Sequence, residues 1–125
     1  MASARRNLGL MASLTIRIDL GGEAALGPGK ARLLELISEK GSIRAAAAAM
    51  DMSYRRAWLL LREIEAIMGA SVVVTETGGA RGGGARLNAL GRSVLERYRR
   101  IEKDAGRAVE TELRALARLA SGRKK

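Results

Sequence analysis

Residues 41–88 read GSIRAAAAAMDMSYRRAWLLLREIEAIMGASVVVTETGGARGGGARLN, and this stretch decides the fold. Ser42 is a good N-cap for a short helix over 43–50 that is almost all alanine. Alanine takes little room, so another helix can approach closely. Asp51 and Met52 make a turn and Ser53 is a second N-cap. Residues 54–68 are helical, with Ala57, Leu60, Leu61, Ile64 and Ile67 at spacings of three and four, and Gly69 ends the helix. Residues 72–74 read as a strand, 77–84 as a glycine-rich tip and 85–88 as a returning strand. A helix, a tight turn, a second helix and a β-hairpin make a winged helix-turn-helix. That layout makes duplex DNA the first partner to consider.

Outward from this stretch, residues 13–20 alternate strictly, with Leu14, Ile16, Ile18 and Leu20 on one face, which predicts a half-buried strand. Residues 21–29 read as a loop. Pro28 opens a helix carrying Leu33, Leu34, Leu36 and Ile37, and Gly41 caps its end. Downstream, Leu90, Val94, Tyr98, Ile101, Ala105, Val109, Leu113, Leu116 and Ala120 recur at three or four, predicting one long amphipathic helix over 89–120, loosened at Gly106. The expected fold class is mainly α with a small β component. The expected organisation is a disordered N-terminal arm at 1–12, the winged helix-turn-helix at 13–88, a long dimerisation helix at 89–120 and a basic tail at 121–125.

One domain is the natural count for 125 residues, and such a chain buries a real core without staples. The sequence contains no Cys and no His, which excludes disulfides, Cys or His metal sites and Cys/His or Ser-His catalysis. With no carboxylate cluster either, neither an enzyme nor a cofactor is expected. One Trp, two Tyr and no Phe leave few platforms for stacking single-stranded bases. The 23 basic and 13 acidic residues give a net charge of +10, which favours polyanions. No stretch approaches the roughly 20 apolar residues of a bilayer span, and the N-terminus lacks the apolar run of a signal peptide, so a cytoplasmic protein without a membrane partner is expected.

The candidate DNA contacts follow from the layout. The second helix of a helix-turn-helix lies in the major groove with its N-terminal residues toward base edges. Those positions hold Ser53, Tyr54, Arg55 and Arg56. An Arg fork matches guanine's two acceptors there, worth roughly 1–3 kcal/mol of discrimination. Tyr54 fits either a phosphate contact or packing, and Trp58 a core role. Arg44 fits a backbone contact or a solvated face, and Arg62 a solvated position or a pair with Glu65. The tip lacks the Gly-Lys-Ser/Thr ending of a phosphate loop. As a wing it offers Arg81 and Arg86 to a phosphate or the minor groove. The competing reading is a plain helical hairpin with solvated arginines.

The long apolar stripe exceeds what a small domain covers. A twofold dimer through Leu90, Val94, Tyr98, Ile101, Ala105, Val109 and Leu113 would bury it and present two recognition helices to one face of DNA. Beyond a homodimer, a full-length regulator or RNA polymerase are further candidate partners. The alternative to a stand-alone homodimer is an interaction module that forms mixed dimers with a full-length regulator.

Residues 13–109 resemble the N-terminal DNA-binding domain of ModE-type molybdate-responsive regulators, an architecture shared with LysR-type regulators. The resemblance rests on GSI at 41–43, SY-x-x-AW at 53–58, TGG-x-x-GGG at 77–84, and Leu87 followed by Gly91 and a long helix. It implies operator binding as a dimer, regulation of molybdenum-related genes, and DNA-facing positions at Ser42, Ser53, Tyr54, Arg55, Arg56 and the wing from Thr77. No residue among these 125 matches the molybdate-site residues of such regulators' C-terminal region, so none is carried over and a regulator without that sensor is expected. Both variable positions of SY-x-x-AW are Arg, which implies a different operator preference. Thr75 and Glu76 stand where relatives often place an Arg.

Overall fold

The structure, a computed structural model, describes residues 12–77 and 83–123. Exposure alternates from 12 to 18 as the period-two pattern predicts. Only Ile18–Asp19 (β1) joins a ladder, antiparallel to Ala25–Leu26 (β2), with Ile18 opposite Leu26. The strand expected over 13–20 is therefore two residues long, and its partner lies inside the segment expected as a loop. Gly21, at φ +97, reverses the chain directly after β1 and limits the pairing to a local hairpin. Upstream of it, Ile16 is held by a side chain instead: its carbonyl accepts from the Tyr98 hydroxyl at 2.6 Å.

Helix α1, Pro28–Lys40, starts on its proline and ends at left-handed Gly41, whose N–H donates to Ile37 O at 2.9 Å. Its inner face is Ala31, Leu33, Leu34, Leu36 and Ile37. Helix α2, Ile43–Ala49, is capped by Ser42, whose Oγ accepts from Ala45 N–H at 2.9 Å. Asp51 takes φ 57, a left-handed conformation that Asp tolerates, and turns the chain. Helix α3, Tyr54–Met68, is capped by Ser53, whose Oγ accepts from Arg56 N–H at 3.0 Å. Ala46, Ala47 and Ala57 are buried, so α2 and α3 cross with small side chains between them.

Strands β3 (Val73–Glu76) and β4 (Gly84–Leu87) pair antiparallel, Val73 opposite Leu87 and Glu76 opposite Gly84. The ladder reaches further into the glycine-rich segment than the sequence suggests. Val72, expected as strand, precedes β3 and is fully buried. Asn88, expected to end the second strand, caps the next helix. Its side chain accepts from Gly91 N–H and donates to Ser71 O, both at 2.8 Å, while its own N–H donates to Val72 O. Gly91 is required here: a Cβ on it would sit 2.2 Å from the Val72 carbonyl oxygen.

The single helix expected over 89–120 divides into α4 (Ala89–Ala108) and α5 (Glu110–Arg123). The break falls at Val109, φ −109 and ψ 9, and not at Gly106, which is buried within α4. Val109 is β-branched and a poor helix residue, while Glu110 and Glu112 favour a fresh N-terminus by facing its dipole. Helix α5 also runs into the segment expected as a basic tail. The core is built mainly from α1, α2 and α3, the base of the wing, and Val94 and Tyr98 of α4.

Candidate nucleic-acid interface

Helix α3 divides sharply. Ala57, Leu60, Leu61 and Ile64 are buried, and the opposite side is open. On that open side Ser53, Tyr54, Arg55 and Arg56 lie at or before the first turn, all exposed. Ser53 Oγ is engaged in capping, which holds the turn in place. Arg44, exposed on α2, places its guanidinium 4.2 Å from the centre of the Tyr54 ring. Tyr54 in turn meets Trp58 edge-on, centroids 6.2 Å apart at 87°. Trp58 packs half-buried against the core. The two arms of this surface are thus tied together by a cation on a ring and a ring on a ring. Ser42 is half-buried and spent as the α2 cap.

The wing stands beside this face. A cleft of about 230 Å³ between them is lined by Ser42, Arg44, Tyr54, Trp58, Thr75 and Thr77 among others. Thr77 is exposed where β3 ends. Arg81 lies outside the described residues. Arg86 is exposed, but its guanidinium pairs with the Glu76 carboxylate at 3.1 Å across the hairpin. Glu76 is therefore a residue the sequence reading undervalued: it neutralises the wing cation next to it.

Two further residues share the open side of α3. Arg62 is exposed, and among the described residues neither it nor Arg55 nor Arg56 carries an ion pair, so of the two readings for Arg62 the structure has the solvated position and not the pair with Glu65. Leu59 is 44% exposed, a position to which the sequence analysis gives no role. The signal was available, since 55, 59 and 62 recur at helical spacing.

The residues expected at a dimer interface separate into two groups. Val94 and Tyr98 are 7% and 0% exposed inside their own domain's core, and Leu90 packs half-buried against it. These positions are taken by the chain itself: the Tyr98 ring fills the core and its hydroxyl is bonded to Ile16. The stripe opens only from Ile101, 42% exposed, and continues through half-buried Ala105, Val109 and Leu113 to exposed Leu116 and Leu119 on α5.

On either side of Ile101 in the sequence, Arg99 and Glu102 belong to a charge network that fastens α4 to α1. Glu35 accepts from Arg32 at 2.7 Å and from Arg99 at 3.1 Å, and Arg99 also donates to Glu102 at 2.8 Å. Burial pushes the neighbouring Tyr98 hydroxyl up to about 12 from its ordinary 10.0, the Glu102 charge adding to the rise and Arg99 opposing it. Among the described residues no group of three His, Cys, Asp or Glu could hold a metal ion, and no helix is long and apolar enough to cross a membrane.

No family model matches the chain. It is 35% identical over 92 residues to the molybdenum transport protein ModE of Azotobacter vinelandii, covering 74% of this chain and 33% of that one. It is 31% identical over 90 residues to the transcriptional regulator ModE of Haemophilus influenzae, covering 72% and 35%. Among solved structures it resembles the DNA-binding domain of CbnR in its complex with DNA, with a TM-score of 0.54 and 28% identity over 71% of this chain and 95% of that one. The fold is that of a winged helix DNA-binding domain, and the sequence is similar to regulators of the ModE type. The chain spans about a third of the length of the curated relatives it matches.

Proposed function

We propose that this chain is a cytoplasmic, sequence-specific duplex-DNA-binding regulator of transcription, of the ModE type, that acts as a homodimer on molybdenum-related genes. The observation that carries the proposal is the open face of α3: an ordered helix start with two adjacent arginines, no ion pair on either among the described residues, and a wing alongside. A cation carried on an ordered helix and left unpaired is suited to a polyanion. In this reading α3 enters the major groove and Arg55 and Arg56 contact base edges. Arg44 and Tyr54 meet phosphates across the cleft, with Ser42 and Ser53 fixing the two helix starts that flank it. Thr77, Arg81 and Arg86 meet the backbone from the wing.

The homodimer reading is supported by the apolar face left open from Ile101 to Leu119. Joining two copies there covers that face and sets two α3 helices at a fixed separation. Residues 13–88 with the first half of α4 then form the DNA-binding unit, and the second half of α4 with α5 the association unit.

Fluorescence anisotropy tests the proposal, using duplexes from the protein's own promoter and from a molybdate-transport promoter, with excess nonspecific duplex, with and without molybdate. Tight binding to one fragment supports the reading, and molybdate dependence reveals a ligand site in addition. Binding without sequence preference at physiological salt overturns it. That result turns attention to mixed dimers with a full-length regulator, or to contact with RNA polymerase, as the route of action.

A further inference from the structure

Leu59 is 44% exposed on α3, while Leu60, Leu61 and Ile64 of the same helix are 7%, 0% and 0% exposed. A single exposed leucine is ordinary on a protein surface and by itself means nothing. Its neighbours give it meaning. Leu59 follows Arg55 by four residues and Arg56 by three, and precedes Arg62 by three, so the three arginine positions border it on the helix surface, while Glu63, four residues on, is paired with Lys30 of α1. The middle of the most cationic strip on this helix is therefore apolar.

A polyanionic backbone has no use for such a residue, but the floor of the major groove does. The apolar feature presented there is the C5-methyl group of thymine. A leucine neither donates nor accepts a hydrogen bond. The polar group at position 4 of thymine or of cytosine gains no partner from Leu59, so it does not separate the two bases. An aliphatic side chain here favours thymine by covering the methyl that cytosine lacks. The bordering arginines occupy the adjacent bases or phosphates and hold the helix close enough for contact.

We propose that Leu59 is a specificity-determining residue that reads the C5-methyl group of one thymine in each half-site, beside the bases met by Arg55 and Arg56. The assignment rests on the proposed function and extends it from guanine contacts to a methyl contact. The test uses the full chain and duplexes it selects from a randomised pool. Each thymine of the tightest duplex is replaced in turn by deoxyuridine, which removes only the methyl. Wild type is expected to bind about 3- to 5-fold more weakly at one thymine per half-site, the effect of covering a single methyl group. Leu59→Ala is expected to melt like wild type, to keep the preference at the other positions and to show no further loss from deoxyuridine at that thymine. Equal deoxyuridine losses in wild type and Leu59→Ala, or no loss at any thymine, overturn the assignment while leaving DNA binding intact. A Leu59→Ala variant that melts early and weakens on every sequence alike assigns the residue to packing and overturns it as well. A pool in which nothing is enriched overturns the sequence-specific reading of the proposed function, and this assignment with it.

Discussion

Helices α3 and α4 are both amphipathic and both rich in arginine, yet they use that residue in opposite ways. On α3, Arg55, Arg56 and Arg62 stand exposed with no ion pair among the described residues. On α4, the Arg99 side chain is only 18% exposed and is shared between Glu35 of α1 and Glu102 of its own helix. A net charge of +10 counts these residues alike. The pairing separates them: unpaired cations on a rigid helix form a surface for a polyanion, whereas Arg99 is a strut that sets where α4 leaves the domain. The strut is not optimised for stability. Arg99 Nε and one Glu102 oxygen are buried without a hydrogen-bond partner. Such a network holds one geometry at some cost in free energy.

Substitutions on the two helices should therefore separate cleanly. Arg99→Ala leaves Glu35 and Glu102 facing each other in a half-buried setting. It should lower stability by about 2–3 kcal/mol, less than the roughly 3–5 kcal/mol of a fully buried pair, read as a shifted midpoint in urea. Arg55→Ala should leave that midpoint within about 0.5 kcal/mol and remove about 1–3 kcal/mol of discrimination at one base pair, read by competition anisotropy. If Arg55→Ala melts early, or Arg99→Ala does not, the contrast between the helices is wrong.

Tyr98→Phe sharpens the α4 side. Loss of the hydroxyl bond to Ile16 should cost about 1 kcal/mol at neutral pH. The folded-state value near 12 lies above the ordinary 10.0, so the protonated hydroxyl stabilises the fold fully below pH 10. That contribution is lost as pH rises from 10 through about 12. The deficit of Tyr98→Phe relative to wild type should therefore narrow over that window in pH-dependent melts. The smallest effect belongs to the wing, between the two extremes. Glu76→Gln releases Arg86 from an exposed pair worth at most about 1 kcal/mol. It should tighten binding to all sequences alike and steepen the salt dependence, whereas Arg86→Ala should do the reverse.

Much of the α3 side was legible in the residues because its determinants are local. Ser53 caps within three residues, Gly69 stops the helix directly after Met68, and the buried positions follow the helical period. Leu59 is less legible, because the leucines next to it in sequence form the core. The α4 side was misread for a different reason. Val94 and Tyr98 lie on the same stripe as Ile101 and Leu113, and periodicity does not say which part of a stripe the domain keeps for itself. Tyr98 is committed by Ile16, 82 residues earlier in the chain. Glu76 and Arg86 meet only because the hairpin register sets Glu76 opposite Gly84, two residues from Arg86.

What the amino-acid sequence determined alone is therefore the helix-turn-helix and its ends: the caps at Ser42 and Ser53, the turn at Asp51, the stops at Gly41 and Gly69, and the amphipathic faces. These depend on φ/ψ preferences and hydrogen bonds that close within a few residues. The tertiary structure decided which cations are neutralised and which apolar stripe is already covered. Those outcomes depend on pairs brought together from distant parts of the chain, Glu35 with Arg99 and Ile16 with Tyr98, and no local preference encodes them.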